Sequence, residues 1–213
     1  MLNIFASANL FMKPITLTIP NYPASEYLLV LNPHEALSRQ IKNIKENFTK
    51  RYQASYAYGR PHITLARFMT LSRTEEKIVR ALQNIAHTIT PFSVQLNDYG
   101  SFPANTIFIN VATKIPIQNL VREIRSIQRL MKFDKHQQPH FISEPHVTIA
   151  RRLWPWQYEK GWQEYAHKHF AGRFVADSML LLKRSLASKG YHTVQSFRFM
   201  GLPESVQQGS LFI

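Results

Sequence analysis

The chain has 213 residues, no cysteine, and 26 Lys+Arg against 13 Asp+Glu, for a formal charge of +13. That length fits one sizeable domain or two closely packed lobes, and 45% hydrophobic residues can build a core. The composition excludes disulfides, thiolate zinc sites and cysteine nucleophiles, and no apolar run reaches the roughly 20 residues of a membrane span.

The N-terminal residues 1–25, with three prolines, read as a loosely attached arm. Its start, MLNIFASANLFM, lacks the basic region of a secretory signal, so the expected location is the cytoplasm, and Met12 is an alternative start. Glu26–Leu31 reads as a short buried strand, closed by Asn32-Pro33. Leu37, Ile41, Ile44 and Phe48 then recur at helical spacing over residues 34–48. Residues 62–68 alternate like a strand, and Ser72 opens a helix carrying Ile78, Leu82 and Ile85 on one face. Phe92–Leu96 and Thr106–Ala112 read as strands around an Asn-Asp-Tyr-Gly turn region. A strongly amphipathic helix covers 116–131, a polar loop 132–144, a strand 145–150 and an aromatic-rich helix 156–170. Phe174–Lys183 and Thr193–Met200 close the chain as strands, followed by a tail at 202–213. The expected fold class is α+β and bilobal: two lobes related by a pseudo-twofold axis, each a mainly antiparallel sheet with helices on one face and a cleft between them.

One pattern occurs twice. RPHITLARF at 60–68 returns as EPHVTIARR at 144–152, with His62 and His146 at equivalent places. In a strand, His62 and Thr64 share one face while Ile63 and Leu65 enter the core, and His146 and Thr148 behave the same way. Two such strands facing each other bring two imidazoles and two hydroxyls to one point. Imidazole titrates near neutral pH, so one ring can take a proton from an attacking oxygen while the other gives one to a leaving oxygen. Threonine hydroxyls can donate to non-bridging phosphate oxygens, where charge grows in the transition state. The excess of basic residues, spread along the chain, favours a polyanion or phosphodiester as partner. A duplication without chemistry, leaving a basic RNA-binding protein, is the competing reading.

With these motifs the chain resembles the two-histidine (2H) phosphoesterases, the superfamily of bacterial 2′-5′ RNA ligase-like proteins and RNA 2′,3′-cyclic phosphodiesterases. The signature pieces are His62-Ile63-Thr64-Leu65 and His146-Val147-Thr148-Ile149, with support from EYLLVLNP, SFPANTIFINV and MLLLKRS followed by Tyr191 and FRFMG. The resemblance covers about residues 26–201 and implies one catalytic domain there. It implies metal-independent hydrolysis of 2′,3′-cyclic phosphate RNA ends to a 2′-phosphate, or reversible 2′-5′ ligation, with no cofactor. It makes His62 and His146 the acid–base pair, and Thr64 and Thr148 the phosphate contacts. An outcome with a 2′-phosphate assigns water activation to His146 and protonation of O3′ to His62, although the sequence itself does not separate the two. The partner it implies is RNA or a nucleotide carrying a 2′,3′-cyclic phosphate or a 2′-5′ linkage, and the chain is expected to act as a monomer. A small cyclic nucleotide or an ADP-ribose cyclic phosphate is the alternative substrate for the same chemistry.

Further candidates surround the motifs. Arg67 and Arg151 lie five residues after their histidines, so strict alternation turns them away from the site and a bulge turns them toward it. Arg151 is expected to contact phosphate or RNA, and Arg67 to be structural. Phe102 and Tyr191 are candidates for stacking on a base. Arg60, and a rim of Lys183, Arg184 and Lys189, are weaker candidates. His136, His140, His167 and His169 do not have convincing metal-ligand spacing, so no metal site is expected.

Overall fold

The computed structural model describes residues 24–55, 59–103, 105–134, 136–188 and 190–203. Most of the arm, the alternative start at Met12, Lys189 and most of the tail lie outside them.

The first strand, β1 (Ala24–Leu31), is buried at every position because it sits inside the sheet with a partner on each side. Helix α1 (Glu35–Tyr52) starts where His34 Nδ1 accepts the Leu37 N–H, and ends at Gln53 in the left-handed region with φ 51°. β2 (Ile63–Leu71) leads through a 3₁₀ turn at Ser72–Thr74 into α2 (Glu75–Thr88), whose first turn carries Glu75 and Glu76 at the positive end of the helix dipole. β3 (Phe92–Phe102) and β4 (Thr106–Val111) form a hairpin. The Asn-Asp-Tyr-Gly segment is no turn: Asp98, at φ 54°, sits in an irregularity where β3 continues, and its carboxylate accepts the Phe170 N–H. α3 (Lys114–Arg125) ends earlier than its apolar pattern suggests, and the chain tightens into i→i+3 bonds up to Met131.

The polar loop holds a two-residue strand, β5 (His140–Phe141), before β6 (His146–Arg151) and α4 (Pro155–Tyr165). α4 is tied to the end of α1 by buried Gln157, whose Nε2 donates to the carbonyls of Tyr52 and Gln53. The expected strand at Phe174–Lys183 is two strands, β7 (Ala171–Ala176) and β8 (Ser178–Ser185), separated at Asp177. No glycine or proline marks that break, so the sequence pattern runs straight through it. β9 (His192–Arg198) completes the order.

The nine strands run β7-β3-β4-β6-β2-β1-β8-β9, with β5 added against β2, and every pairing is antiparallel. Four strands lie on either side of the β2–β6 junction, which is held by a single residue pair, Ile63 with Val147. These halves are not the halves of the sequence. One gathers β1 and β2 with the late β8 and β9; the other gathers β3, β4, β6 and β7. Each still carries one copy of the repeated motif. α1 and α4 pack on β4, β6 and β7, while α2 and α3 pack against β9 and β2. Ile63, Leu65, Val147 and Ile149 join Ile41, Phe48, Ile78, Leu82, Leu120 and Ile124 in one core. Burial of that many aliphatic side chains, each about 1.5–3 kcal/mol, fixes the two motif strands from behind.

Candidate active site

The two motif strands are shaped alike. Against β1, Ala66 pairs with Leu29 and Thr64 with Val30, which leaves Leu65 as an extra residue. Against β4, Ala150 pairs with Ile107 and Thr148 with Phe108, which leaves Ile149 as the extra residue. A bulge thus falls at the fourth position of each His-x-Thr-x. It reverses the alternation that follows. Residues 62–67 and 146–151 show the same burial sequence: half-buried, buried, half-buried, buried, buried, exposed. His, Thr and the following Arg therefore share one face in each copy, and it is the bulge that turns Arg67 and Arg151 toward the site side.

The Ile63–Val147 pair sets the relation between the copies. In antiparallel register about that pair, His62 falls on the side of Thr148, and Thr64 on the side of His146. By position, each imidazole lies toward the other motif's hydroxyl. In both copies Nδ1 lies 2.8 Å from the carbonyl oxygen two residues earlier, Arg60 for His62 and Glu144 for His146. A carbonyl only accepts, so Nδ1 carries the hydrogen in each ring. Nε2 is the nitrogen outside that bond, and the one able to exchange a proton.

The surroundings differ. The ring of His146 lies edge-on to Phe102, 5.0 Å between centroids at 83°, and 4.9 Å from Phe108. Phe102 is 39% exposed, so it presents a free aromatic surface beside His146 rather than core. Asn110 pairs with His146 across β4. Gly100 makes room here: a Cβ there would come within 2.5 Å of both Asn110 Oδ1 and Phe108 Cε2. On the other side, Leu31 pairs with Ile63, which puts Asn32 across from His62. Its buried Oδ1 has no hydrogen-bond partner among the described residues.

Burial lowers the proton affinity of both rings. For His62 the positive charges of Lys45 and Arg151, and His146, push the same way, against the bond to the Arg60 carbonyl. For His146 the bond to the Glu144 carbonyl and the Glu144 carboxylate pull back toward the charged form. The fields thus favour neutral His62 over neutral His146, opposite in sense to the order implied by the family resemblance.

Lys45 is a buried charge whose field reaches His62 and to which the motifs do not point. It lies on the buried stripe of α1 formed by Leu37, Ile41, Lys45, Phe48 and Tyr52, and is only 5% exposed. Burial first, then the charge of Arg151, pushes its ammonium down to about 8. The stripe spacing, four, four, three and four residues, is the signal in the sequence that could have found it.

Other expected positions are held by partners of their own. Tyr191 lies over the Arg184 guanidinium, 4.9 Å from its ring, and hydrogen-bonds Glu26, so burial and that carboxylate push it up to about 12. Buried Glu26 also pairs with Arg67 and Arg184. Lys183 is paired with Glu75 at 2.7 Å, so Lys183 and Arg184 are not a free basic rim. Arg60 faces Glu35 at 3.7 Å, both exposed. His167 and His169 follow the end of α4, and among the described residues no cluster of three or more His, Asp or Glu could hold a metal ion.

A family model described as the 2′-5′ RNA ligase superfamily matches residues 33–187. A Bacillus licheniformis protein bearing the name of a candidate phosphoesterase is 28% identical over 130 residues, covering 60% of this chain and 72% of its own length. A similarly named Bacillus cytotoxicus protein is 32% identical over 118 residues, covering 54% of this chain and 66% of its own. Among solved structures, Escherichia coli LigT complexed with 3′-AMP superposes with a TM-score of 0.58 at 13% identity, covering 83% of this chain and 98% of that one. A Thermus thermophilus protein, TT0787, gives 0.58 at 17% over the same shares. At those identities the structures speak for the fold alone.

Proposed function

The chain belongs to the 2′-5′ RNA ligase superfamily, the two-histidine phosphoesterases, and from that premise we propose that it opens 2′,3′-cyclic phosphate ends of RNA by paired imidazole catalysis. The observation that carries this reading is the crossed arrangement about Ile63–Val147, with Nδ1 of both rings tied to carbonyls and Nε2 of both left for proton exchange.

In hydrolysis, one Nε2 takes a proton from water as its oxygen attacks phosphorus. The bond from phosphorus to O3′ breaks, and the other Nε2 delivers its proton to O3′, which leaves a 2′-phosphate. Thr64 and Thr148 donate to the non-bridging oxygens, whose charge rises in the transition state. A 5′-hydroxyl in place of water gives a 2′-5′ linkage by the same steps, and the reverse reaction exchanges the roles of the rings. Phe102 supplies a platform for the base beside His146. Arg151 supplies charge for the phosphate. Escherichia coli LigT, which shares the fold, has been solved with 3′-AMP, whose phosphate sits on the other ribose oxygen from that of the product proposed here, and, separately, with phosphate. The overall charge of +13 suits RNA more than a mononucleotide, which needs only a local positive pocket.

The test is turnover of a short RNA ending in a 2′,3′-cyclic phosphate, in EDTA, by wild type, His62→Ala and His146→Ala. Turnover by wild type and a loss of order 10²-fold or more in each variant support the reading. A wild type that binds this RNA but does not open it overturns it.

A further inference from the structure

We propose that the Trp154-Pro155-Trp156 turn, with Arg152 and Lys160, forms an outer binding surface for single-stranded RNA, which takes the bases upstream of the strand end held at the two histidines. What happens at that end rests on the phosphoesterase reading; binding of the strand to this surface does not.

The argument begins with two tryptophans in water. Tryptophan is highly buried on average, yet Trp154 is 69% exposed and Trp156 45%. The third tryptophan, Trp162, packs against the core. The two exposed rings flank Pro155, the first residue of α4. Their backbone is tied down: the Trp154 N–H donates to Gln157 Oε1, and Gln157 Nε2 donates to the carbonyls of Tyr52 and Gln53. The rings are thus carried on a rigid base, which lowers the ordering cost of stacking a ligand on them.

Cations accompany the rings. Lys160 follows Trp156 by one turn, with Nζ 5.9 Å from the ring centroid. Arg152, exposed, precedes Trp154 at φ 56°. Neither Arg152 nor Lys160 belongs to an ion pair among the described residues. Trp156 and Lys160 also wall an open pocket of about 460 Å³ with Arg51, Tyr52, Gln163 and Glu164. Its carboxylate, Glu164, is held by Arg51 at 2.9 Å, by Lys168 at 2.5 Å and by the Tyr52 hydroxyl. The other acid of α4 is Glu159, so cations outnumber acids around the turn.

This surface is continuous with the candidate active site. Phe102, edge-on to His146, pairs with Thr106, and Thr106 pairs with Arg151. Two strand spacings put Arg151 about 10 Å across the sheet from Phe102. The Leu153 N–H then donates to the Asn105 carbonyl at 3.1 Å, and the Tyr158 hydroxyl meets Ser101 Oγ at 2.9 Å. The turn and the start of α4 therefore lie against the tip of the hairpin that carries Phe102. Aromatic rings follow one another from Phe102 to Trp154 and Trp156, with basic side chains between them. Rings for bases and cations for phosphates are what an unpaired strand needs, whatever its sequence. A lipid surface fits less well. The exposed α4 neighbours of the tryptophans are Glu159, Lys160 and Gln163, which offer no continuous apolar face to a bilayer.

The probe is an oligouridylate octamer with the full chain. In wild type, stacking on Trp154 and Trp156 is expected to quench the tryptophan fluorescence. Trp154→Ala and Trp156→Ala are each expected to weaken octamer binding fivefold or more. Ile115→Ala, at an exposed apolar position of α3, is expected to weaken it less than twofold. Lys160→Gln should lower the salt slope of binding by about one. In turnover, the ratio of kcat/KM for an octamer ending in a cyclic phosphate to that for uridine 2′,3′-cyclic phosphate should fall fivefold or more in each tryptophan variant. Damage to the fold would lower both values alike and leave the ratio. No binding of the octamer by wild type, or unquenched emission at saturating octamer, overturns the proposal, and neither needs a variant. A folded Trp154→Ala/Trp156→Ala double variant that binds the octamer as wild type does overturns it too. So does a double variant that loses binding to phosphatidylglycerol vesicles and keeps its RNA. Quenching by the octamer, lost in the variants, with no opening of cyclic-phosphate RNA by wild type, sinks the proposed function and leaves this surface standing. Opening of that RNA with the ratio unchanged in the double variant does the reverse.

Discussion

The two motif strands are copies in backbone and opposites in charge. Both place a bulge after Thr, both tie Nδ1 to the carbonyl two residues back, and both end on an arginine facing the site side. Beyond the backbone they part. Arg67 is neutralised by buried Glu26, itself shared with Arg184 and Tyr191. Arg151 stands with Lys45, and both fields reach His62. On the proposed function, the duplication accounts for two proton carriers, and the asymmetry is one of charge around them.

The largest effect expected is the one that treats the copies as equal. Removing either imidazole breaks the proton circuit, so His62→Ala and His146→Ala each lower turnover of cyclic-phosphate RNA by order 10²-fold or more, and the double variant is little worse than either. Additive losses in the double variant would show that the rings act independently.

Lys45→Met separates the copies. The fall of the Lys45 ammonium from 10.5 to about 8 corresponds to about 3 kcal/mol of destabilisation by the buried charge. A raised affinity for protons in the unfolded chain means that this penalty is complete below about pH 8 and fades as pH rises toward 10.5. Methionine keeps the apolar stem and removes the charge. Chemical denaturation at pH 7 should find the variant more stable than wild type by about 2–3 kcal/mol. A less stable variant would mean that the ammonium is there for packing.

The paired arginines come next. Arg67→Ala removes one of the cations that hold Glu26, and should cost about 1–2 kcal/mol of stability with turnover within about threefold. Arg151→Ala leaves no buried carboxylate behind. It should leave stability nearly unchanged and reduce kcat/KM about tenfold, the share of one phosphate contact worth about 1.4 kcal/mol. Equal kinetic losses in the two variants would erase the distinction between the copies.

Much of this is legible in the sequence. Periodicity locates four helices and most strands, and the repeated motif locates both histidines and both threonines, because a half-buried strand writes its two faces as alternate residues. The remainder is hidden for physical reasons. The split of β7 from β8 at Asp177 leaves an apolar run intact, since both strands are built from the same residue types. The extension of β3 through Asp98 uses residues that turns also favour. The bulges that reorient Arg67 and Arg151 depend on pairing with β1 and β4, which are distant in sequence. Lys45 escapes notice because lysine on an amphipathic helix ordinarily faces water, although its place on the stripe says otherwise. The partners of Tyr191, Glu26 and Arg184, come from β1 and β8, far from it or from each other in sequence, so no local pattern announces them.

The smallest effect is a difference between two titrations in the unliganded protein. Both rings are buried, so both should titrate below the ordinary 6.5 of histidine. The cations at His62 and the Glu144 carboxylate at His146 then order them, with His62 holding its proton less well. Two-dimensional NMR of the ring nitrogens should show His62 titrating at the lower pH. Lys45→Met should raise His62 and leave His146 where it was. Because the unfolded chain takes up these protons first, stability is complete above about pH 6.5 and falls as pH drops through the two folded values. If His146 titrates lower instead, or if Lys45→Met moves the two rings equally, the field of Lys45 is not confined to the first motif, and the difference between the copies lies in the aromatic rings around His146 rather than in charge.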